Sequence, residues 1–297
     1  MQPFIQIFGL AISAAPAAVW LGFIVAIWLA GRTASWRGLD GRALGDALTV
    51  AGFAALLGAR LGYVGLHTSA YVRDPLAALA LSTSALDGAI GALAGLGGLA
   101  WRLRRAGMLH AAAADALAPP GLVLAMGLAL ASYFDGAVFG APSGLPWAVE
   151  VWGAARHPVQ FYEIAGLLVI LATAVALRKR TLPDGALALG IVLAYGLLRL
   201  VVDGLRADEA TLLAGLRVTQ LGWTSVAAGA AWALGERTNA AQTSAIKALR
   251  GSGTGQGLND ALLVARKGER AWENEPERHD TGEQADDRAD TKRINAD

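Results

Sequence analysis

Cysteine is absent from the 297 residues. That excludes a disulfide frame, a thiolate metal site and a cysteine nucleophile, so any thiol chemistry must use a thiol brought by the substrate. Charge is scarce as well. Only 16% of residues are charged and 55% are hydrophobic, with a mean hydropathy of +0.44, whereas a soluble domain carries closer to a quarter charged residues. The charges are segregated, crowding into short gaps and into the C-terminal stretch. These features predict an all-α polytopic integral membrane protein. No Lys or Arg precedes the apolar run at 4–30, so the run lacks the basic n-region of a cleavable signal and reads as a permanent first span, bent at Pro16. No internal repeat stands out, and the paired broken helices expected of a transporter with two related halves are not evident.

Apolar runs at 4–30, 47–66, 87–101, 117–134, 159–177, 185–205 and 216–234 predict about seven transmembrane helices, each near the roughly 20 residues that cross a ~30 Å hydrocarbon core. The third run is short and glycine-rich. Gly88, Gly91, Gly95 and Gly98 fall three and four apart, on one face that lets a neighbouring helix approach closely. Pro119-Pro120 are expected near the start of the fourth. Alternate loops carry Arg32, Arg37 and Arg42, then Arg102, Arg104 and Arg105, then Arg178, Lys179 and Arg180. The other set offers only Arg73, Arg156, Arg206 and Arg217. The positive-inside rule puts the first set in the cytoplasm, the N-terminus outside and the C-terminus inside. Residues 1–235 are thus expected to form the transmembrane domain, and 236–297 a polar cytoplasmic tail, largely disordered. Within the tail, Leu258, Ala261, Leu262 and Ala265 pattern as a short amphipathic helix with Arg266, Lys267 and Arg270 toward anionic lipid, or as a plain solvated linker.

The polar groups at the membrane carry the functional argument. Arg156-His157-Pro158-Val159-Gln160-Phe161-Tyr162-Glu163 sets ionisable and polar side chains against the apolar run that follows it. It reads either as an interfacial anchor or as the mouth of a site. Arg60 lies in Gly58-Ala59-Arg60-Leu61-Gly62-Tyr63 with no local carboxylate. Arg199 and Asp203 are four apart on one helix face, followed by Arg206. Charges at bilayer depth persist when paired or when they line a polar cavity. Either Arg199 and Asp203 neutralise each other, or Arg60, Arg199 and Arg206 together form a cationic pocket for a phosphate, which Arg grips bidentately. In a membrane the obvious phosphate is a phospholipid headgroup.

The runs Gly58 to Tyr63, His157-Pro158-Val159-Gln160-Phe161-Tyr162-Glu163 and Tyr195-Gly196-Leu197-Leu198-Arg199, continuing to Asp203 and Arg206, resemble bacterial prolipoprotein diacylglyceryl transferases, in that family's order and over roughly residues 1–235. Phe8-Gly9-Leu10, the glycine-rich third span and Gln220 add to the likeness. The resemblance implies seven spans with the N-terminus outside, in a bacterial inner membrane. It also implies transfer of the diacylglyceryl group of phosphatidylglycerol to the lipobox cysteine of a prolipoprotein signal peptide. Partners are then phosphatidylglycerol, the prolipoprotein and membrane lipids. No cofactor, metal or nucleic acid is called for. His157, Glu163 and Asp87 are the expected catalytic residues. Arg60, Tyr63, Gln160, Tyr162, Arg199, Asp203 and Arg206 are the expected phospholipid-binding ones. Two departures stand out. In Leu128-Ala129-Leu130-Ala131-Ser132-Tyr133-Phe134-Asp135-Gly136-Ala137-Val138-Phe139-Gly140, Ala129 replaces the family's catalytic Arg, Ser132 and Asp135 its two Asn, and Ala137 its Glu. Leu86, before Asp87-Gly88, replaces its His. They leave open an alternative, a catalytically impaired paralogue that handles phospholipid or lipoprotein without turnover.

Overall fold

A computed structural model describes residues 4–7, 10–72, 74–79, 85–136, 138–208, 211–213 and 216–251. The chain divides into a unit over Met1–Ala241 and a second over Gln242–Asp297. Of the second, only 242–251 lie among the described residues, as helix. Arg73, Ala137, Phe8-Gly9 and the 258–270 segment lie outside them.

The first unit opens on a hairpin, β1 (Phe4–Ile7) and β2 (Leu10–Ser13), which runs into helix α1 (Ala14–Ala34). Pro16 therefore falls in the first turn of α1, where a missing N–H costs nothing. Next come α2 (Gly41–Leu66), the single turn α3 (Thr68–Tyr71), α4 (Gly88–Arg105) and α5 (Ala111–Asp135). A hairpin of β3 (Val149–Val151) and β4 (Ala154–Arg156) leads into α6 (Val159–Leu177) and then α7 (Ala186–Gly204). The short pair β5 (Thr211–Leu213) and β6 (Leu216–Arg217) precedes α8 (Val218–Gly251).

Among the described residues five helices are long and apolar enough to cross a membrane: α1, α2, α5, α6 and α7. Helix α4 carries Arg102, Arg104 and Arg105 in its last turn, and the first half of α8 is interrupted by Gln220, Thr224 and Ser225. Large apolar side chains such as Leu21, Ile24, Phe53, Leu93 and Val169 are exposed, as expected where the solvent is lipid. The α8 helix continues to Gly251, beyond the 234 limit that hydropathy alone indicates. The 236–250 stretch has four Ala among mainly polar residues and is free of Gly and Pro, so it propagates a helix without being apolar.

Small residues set the closest helix pairs. A Cβ built on Gly91 would meet the Ala59 Cβ at 2.8 Å, one on Gly95 the Ala55 Cβ at 3.0 Å, and one on Gly98 the Ala54 Cβ at 2.8 Å. The expected glycine face thus packs α4 onto α2, though Gly88 looks onto open space. Helices α1 and α5 meet through Gly22 and Gly127, where the built Cβ of Gly22 lies 3.0 Å from the Gly127 Cα.

Pro119 and Pro120 prove to be inside α5, because the helix begins at Ala111. A proline has no N–H for the carbonyl four residues earlier, so Pro120 frees the Ala116 oxygen. The Thr33 hydroxyl, buried on α1, donates to that oxygen at 2.6 Å.

Candidate functional site

The site is built where the C-terminal half of α7 faces the start of α6. Glu163 is one turn into α6 and buried. It accepts the Tyr195 hydroxyl at 2.8 Å on one oxygen and Arg199 Nη1 at 2.9 Å on the other. Arg199 Nη2 lies 2.7 Å from Asp203 Oδ1, the expected i,i+4 pair, and the same oxygen lies 3.4 Å from Arg206 Nη1. Arg206 then grips both oxygens of Asp208, at 3.0 and 2.6 Å. The guanidinium of Arg199 also lies over Trp223 of α8, 5.8 Å from the ring centroid, and Trp223 meets Tyr195 edge-on. Burial works to raise the pKa of Asp208. The hydrogen bond and charge of Arg206, together with backbone N–H groups of Asp208 and Phe139, override it and hold the carboxyl below its ordinary value.

Arg217 closes the end of α7. It donates Nη1 to the Asp203 carbonyl at 2.7 Å and to that of Gly204 at 3.2 Å, and Nη2 to the Arg206 carbonyl. The first two are carbonyls of the last turn of α7, where a helix lacks its own donors, and the third lies just beyond its end. Gln220, at the start of α8, accepts the Arg217 N–H and donates to the Leu200 carbonyl. Counting Arg199, Arg206 and Arg217 against Glu163, Asp203 and Asp208, three cations face three anions. Among the described residues Glu163, Arg199, Asp203, Arg206 and Asp208 thus alternate in charge as an ion chain, with Arg217 on the carbonyls beside it. Arg199 Nε is buried and, among the described residues, makes no hydrogen bond.

Beside this chain three extended segments pair. Ala141 N–H donates to the Leu205 carbonyl at 2.8 Å, Ala207 N–H to that of Phe139 at 2.9 Å, and His157 N–H to that of Ala141 at 3.0 Å. The 139–143 segment thereby joins the His157 backbone to the end of α7. Gly140 is pressed against the His157 carbonyl, and its built Cβ would also lie 2.8 Å from the His157 Cβ. Gln160 donates to the Val138 carbonyl at 2.7 Å, and Arg156 to those of Val151 and Gly140. The Tyr162 hydroxyl accepts the Trp147 indole N–H at 2.9 Å and lies 3.3 Å from His157 Nδ1.

Arg60, Tyr63 and Asp87 are elsewhere. Arg60 is buried on α2, which packs on α4 and α1. Its guanidinium donates to the carbonyls of Ala78, Ala85 and Ala77 at 3.0, 3.0 and 2.6 Å, with Tyr71 against it. Among the described residues no contact joins this cluster to Arg199 or Arg206. Tyr63 stacks on His67 with ring centroids 4.2 Å apart. The Asp87 carboxylate accepts the Ile90 N–H at 2.7 Å as the N-cap of α4, while its own N–H donates to the Ala59 carbonyl. Asp87→Ala is expected to cost about 1 kcal/mol of stability, as an N-cap loss does. An unfolding midpoint restored by Asp87→Ser would confirm capping as its work, whereas an unchanged midpoint with lost turnover would assign it to the chemistry.

Two groups go beyond the residues expected from the sequence. Tyr195, which the sequence offers only as part of the Tyr195-to-Arg199 run, donates to Glu163. Asp115 is a lone Asp in the run Ala111 to Leu117, a visible anomaly. Fully buried on α5, it accepts the N–H groups of Gly185 and Ala188 at 2.8 Å each and pairs with Arg37 at 2.6 Å. It caps α7 from another helix.

The fold and this site define a polytopic helical membrane protein with an ion chain held between two of its spanning helices. The family model described as prolipoprotein diacylglyceryl transferase matches residues 2–234. The phosphatidylglycerol–prolipoprotein diacylglyceryl transferase of Corynebacterium glutamicum is 32% identical over 236 residues, covering 70% of this chain and 74% of that protein. The protein of the same name from Methylocella silvestris is 33% identical over 208 residues, covering 65% and 74%. That of Aeromonas hydrophila is 28% identical over 202 residues, covering 64% and 72%. The chain belongs to the prolipoprotein diacylglyceryl transferase family.

Proposed function

We propose that this protein transfers the diacylglyceryl group of phosphatidylglycerol to the lipobox cysteine thiol of a prolipoprotein, in a bacterial inner membrane. The thiol sulfur forms a bond to the glyceryl carbon as the bond from that carbon to the phosphate oxygen breaks. Glycerol phosphate leaves with the electron pair, and the thiol's proton balances the charge so created. A departing phosphate needs fixed cationic donors as its charge develops. The observation that carries the reading is Arg199: it is held from two sides by Glu163 and Asp203, and its Nε is buried with no hydrogen bond among the described residues. In this reading Arg199 and Arg206 face the headgroup and Asp203 and Glu163 hold them. Tyr162 and Gln160 shape the mouth, and His157 is the titratable side chain there. Arg60, with Tyr63, anchors the loop after α2 near the entering lipid. Asp87 orders α4.

The test is complementation. In bacteria depleted of their own transferase, expression of this chain is expected to restore lipidation of a reporter precursor, despite Ala129 and Leu86. A well-expressed chain that yields no lipidation would overturn the proposal.

Seven crossings, with the N-terminus outside and residues 236–297 in the cytoplasm, complete the reading. Asp40→Cys and Gly251→Cys are expected to resist an impermeant thiol reagent in intact cells, and Ser143→Cys to react. Labelling of Asp40→Cys would invert the orientation.

A further inference from the structure

We infer that Trp147 is a positioning residue that sets the tautomer of His157, so that the imidazole faces its ligand as an Nε2–H donor. An indole N–H can only donate, and it donates to the Tyr162 oxygen at 2.9 Å. The phenol has a single hydrogen, which therefore points away from the indole. Among the described residues the acceptor it finds is His157 Nδ1, 3.3 Å off. Nδ1 then carries the lone pair and the ring proton is on Nε2. With the opposite tautomer, two N–H groups would converge on one phenol oxygen whose own hydrogen found no protein acceptor, the costlier arrangement.

The backbone holds each member in place. Trp147 is third in the turn Leu145-Pro146-Trp147-Ala148, closed by Ala148 N–H to the Leu145 carbonyl at 3.0 Å. Proline in second place fixes that turn. The Ser143 hydroxyl accepts the Leu145 N–H ahead of it. His157 is tied to Ala141 and packed on Gly140, and Tyr162 is in the first turn of α6. Trp147 is 57% exposed, so burial does not account for a tryptophan there, whereas its N–H has a partner. Among the described residues His157 Nε2 makes no hydrogen bond, which leaves it for an anionic oxygen. Under the transferase reading, on which only this last step rests, that oxygen belongs to the phosphate of the headgroup.

The experiment is nitrogen-15 and carbon-13 histidine NMR on the full chain in phosphatidylglycerol nanodiscs at pH 8, above the ordinary imidazole pKa of ~6.5. His157→Gln identifies the resonance. The wild-type ring is expected to show the Nε2–H tautomer alone. Trp147→Phe and, as a second variant, Tyr162→Phe are expected to admit the Nδ1–H form. Trp152→Phe, whose indole donates to the Gly136 carbonyl instead, is expected to leave the spectrum unchanged. Reporter lipidation is expected to fall about 10-fold in Trp147→Phe, short of the 10²–10³ that follows outright loss of a fixed donor. An Nδ1–H tautomer in the wild type, or a Trp147→Phe spectrum like that of the wild type, would overturn the inference. The expected spectra without lipidation by the wild type would uphold the relay and remove the transferase reading.

Discussion

Asp203→Asn is expected to destabilise the protein by about 3–5 kcal/mol, the usual cost of removing one partner from a buried ion pair. The Asp203 side chain is fully buried and faces Arg199 at 2.7 Å and Arg206 at 3.4 Å. Asn keeps the volume and removes the charge. Among the described residues, Arg199 and Arg206 then keep the outer carboxylates, Glu163 and Asp208, to balance them in a medium that solvates charge poorly. The measurement is the unfolding midpoint in detergent, together with the folded fraction recovered from membranes. Combining Asp203→Asn with Arg199→Met separates the pair from its surroundings. If the chain is a network, the double variant loses less than the two single losses added, because the second change removes the charge that the first left bare. Additive losses would mean that Arg199 is held by Glu163 alone.

Gly140→Ala is expected to disable the site with a single methyl group. That methyl would be driven into the His157 carbonyl and lie 2.8 Å from the His157 Cβ. Neither is the far end of a flexible side chain, so the strands must part. Overpacking of this kind costs about 1–3 kcal/mol, and a displacement near 1 Å costs on the order of 10² in rate where groups must be aligned. Reporter lipidation is the sensitive measurement, with expression level as the check on folding. Gly144→Ala, four residues on and open to space, is the matched control and is expected to behave as wild type. Equal behaviour of the two variants would show that the 139–143 segment does not position His157.

What could be read from the sequence was local. Helix α6 has the limits its apolar run gives, 159–177, because Pro158 and the basic Arg178-Lys179-Arg180 mark both ends. The Arg199–Asp203 pair follows from four-residue spacing alone. The glycine face of α4 follows from a period, and its partner is the helix two apolar runs define beside it. What could not be read was supplied by residues distant in sequence. Pro119-Pro120 argue for a helix start until Thr33 provides, 83 positions ahead of Ala116, the donor that Pro120 lacks. Arg60 visibly needs polar partners, but the three loop carbonyls that engage it follow it by 17 to 25 positions. The engagement of Glu163 with Tyr195 and Arg199 is tertiary, and nothing in the 157–163 run announces it. Asp87 is a different case: an Asp ahead of Gly88-Ala89-Ile90 is an ordinary N-cap signal, outweighed by its place beside Leu86 in the family motif.

Asp115 has a consequence for biogenesis. The N-terminal amides of α7 are satisfied by a carboxylate on α5, itself balanced by Arg37 just after α1. Both leave the ribosome before Gly185 does. The groups that receive the start of α7 are therefore made before the amides they serve, so at this point the order of synthesis sets no interval in which α7 must wait for its cap to be translated.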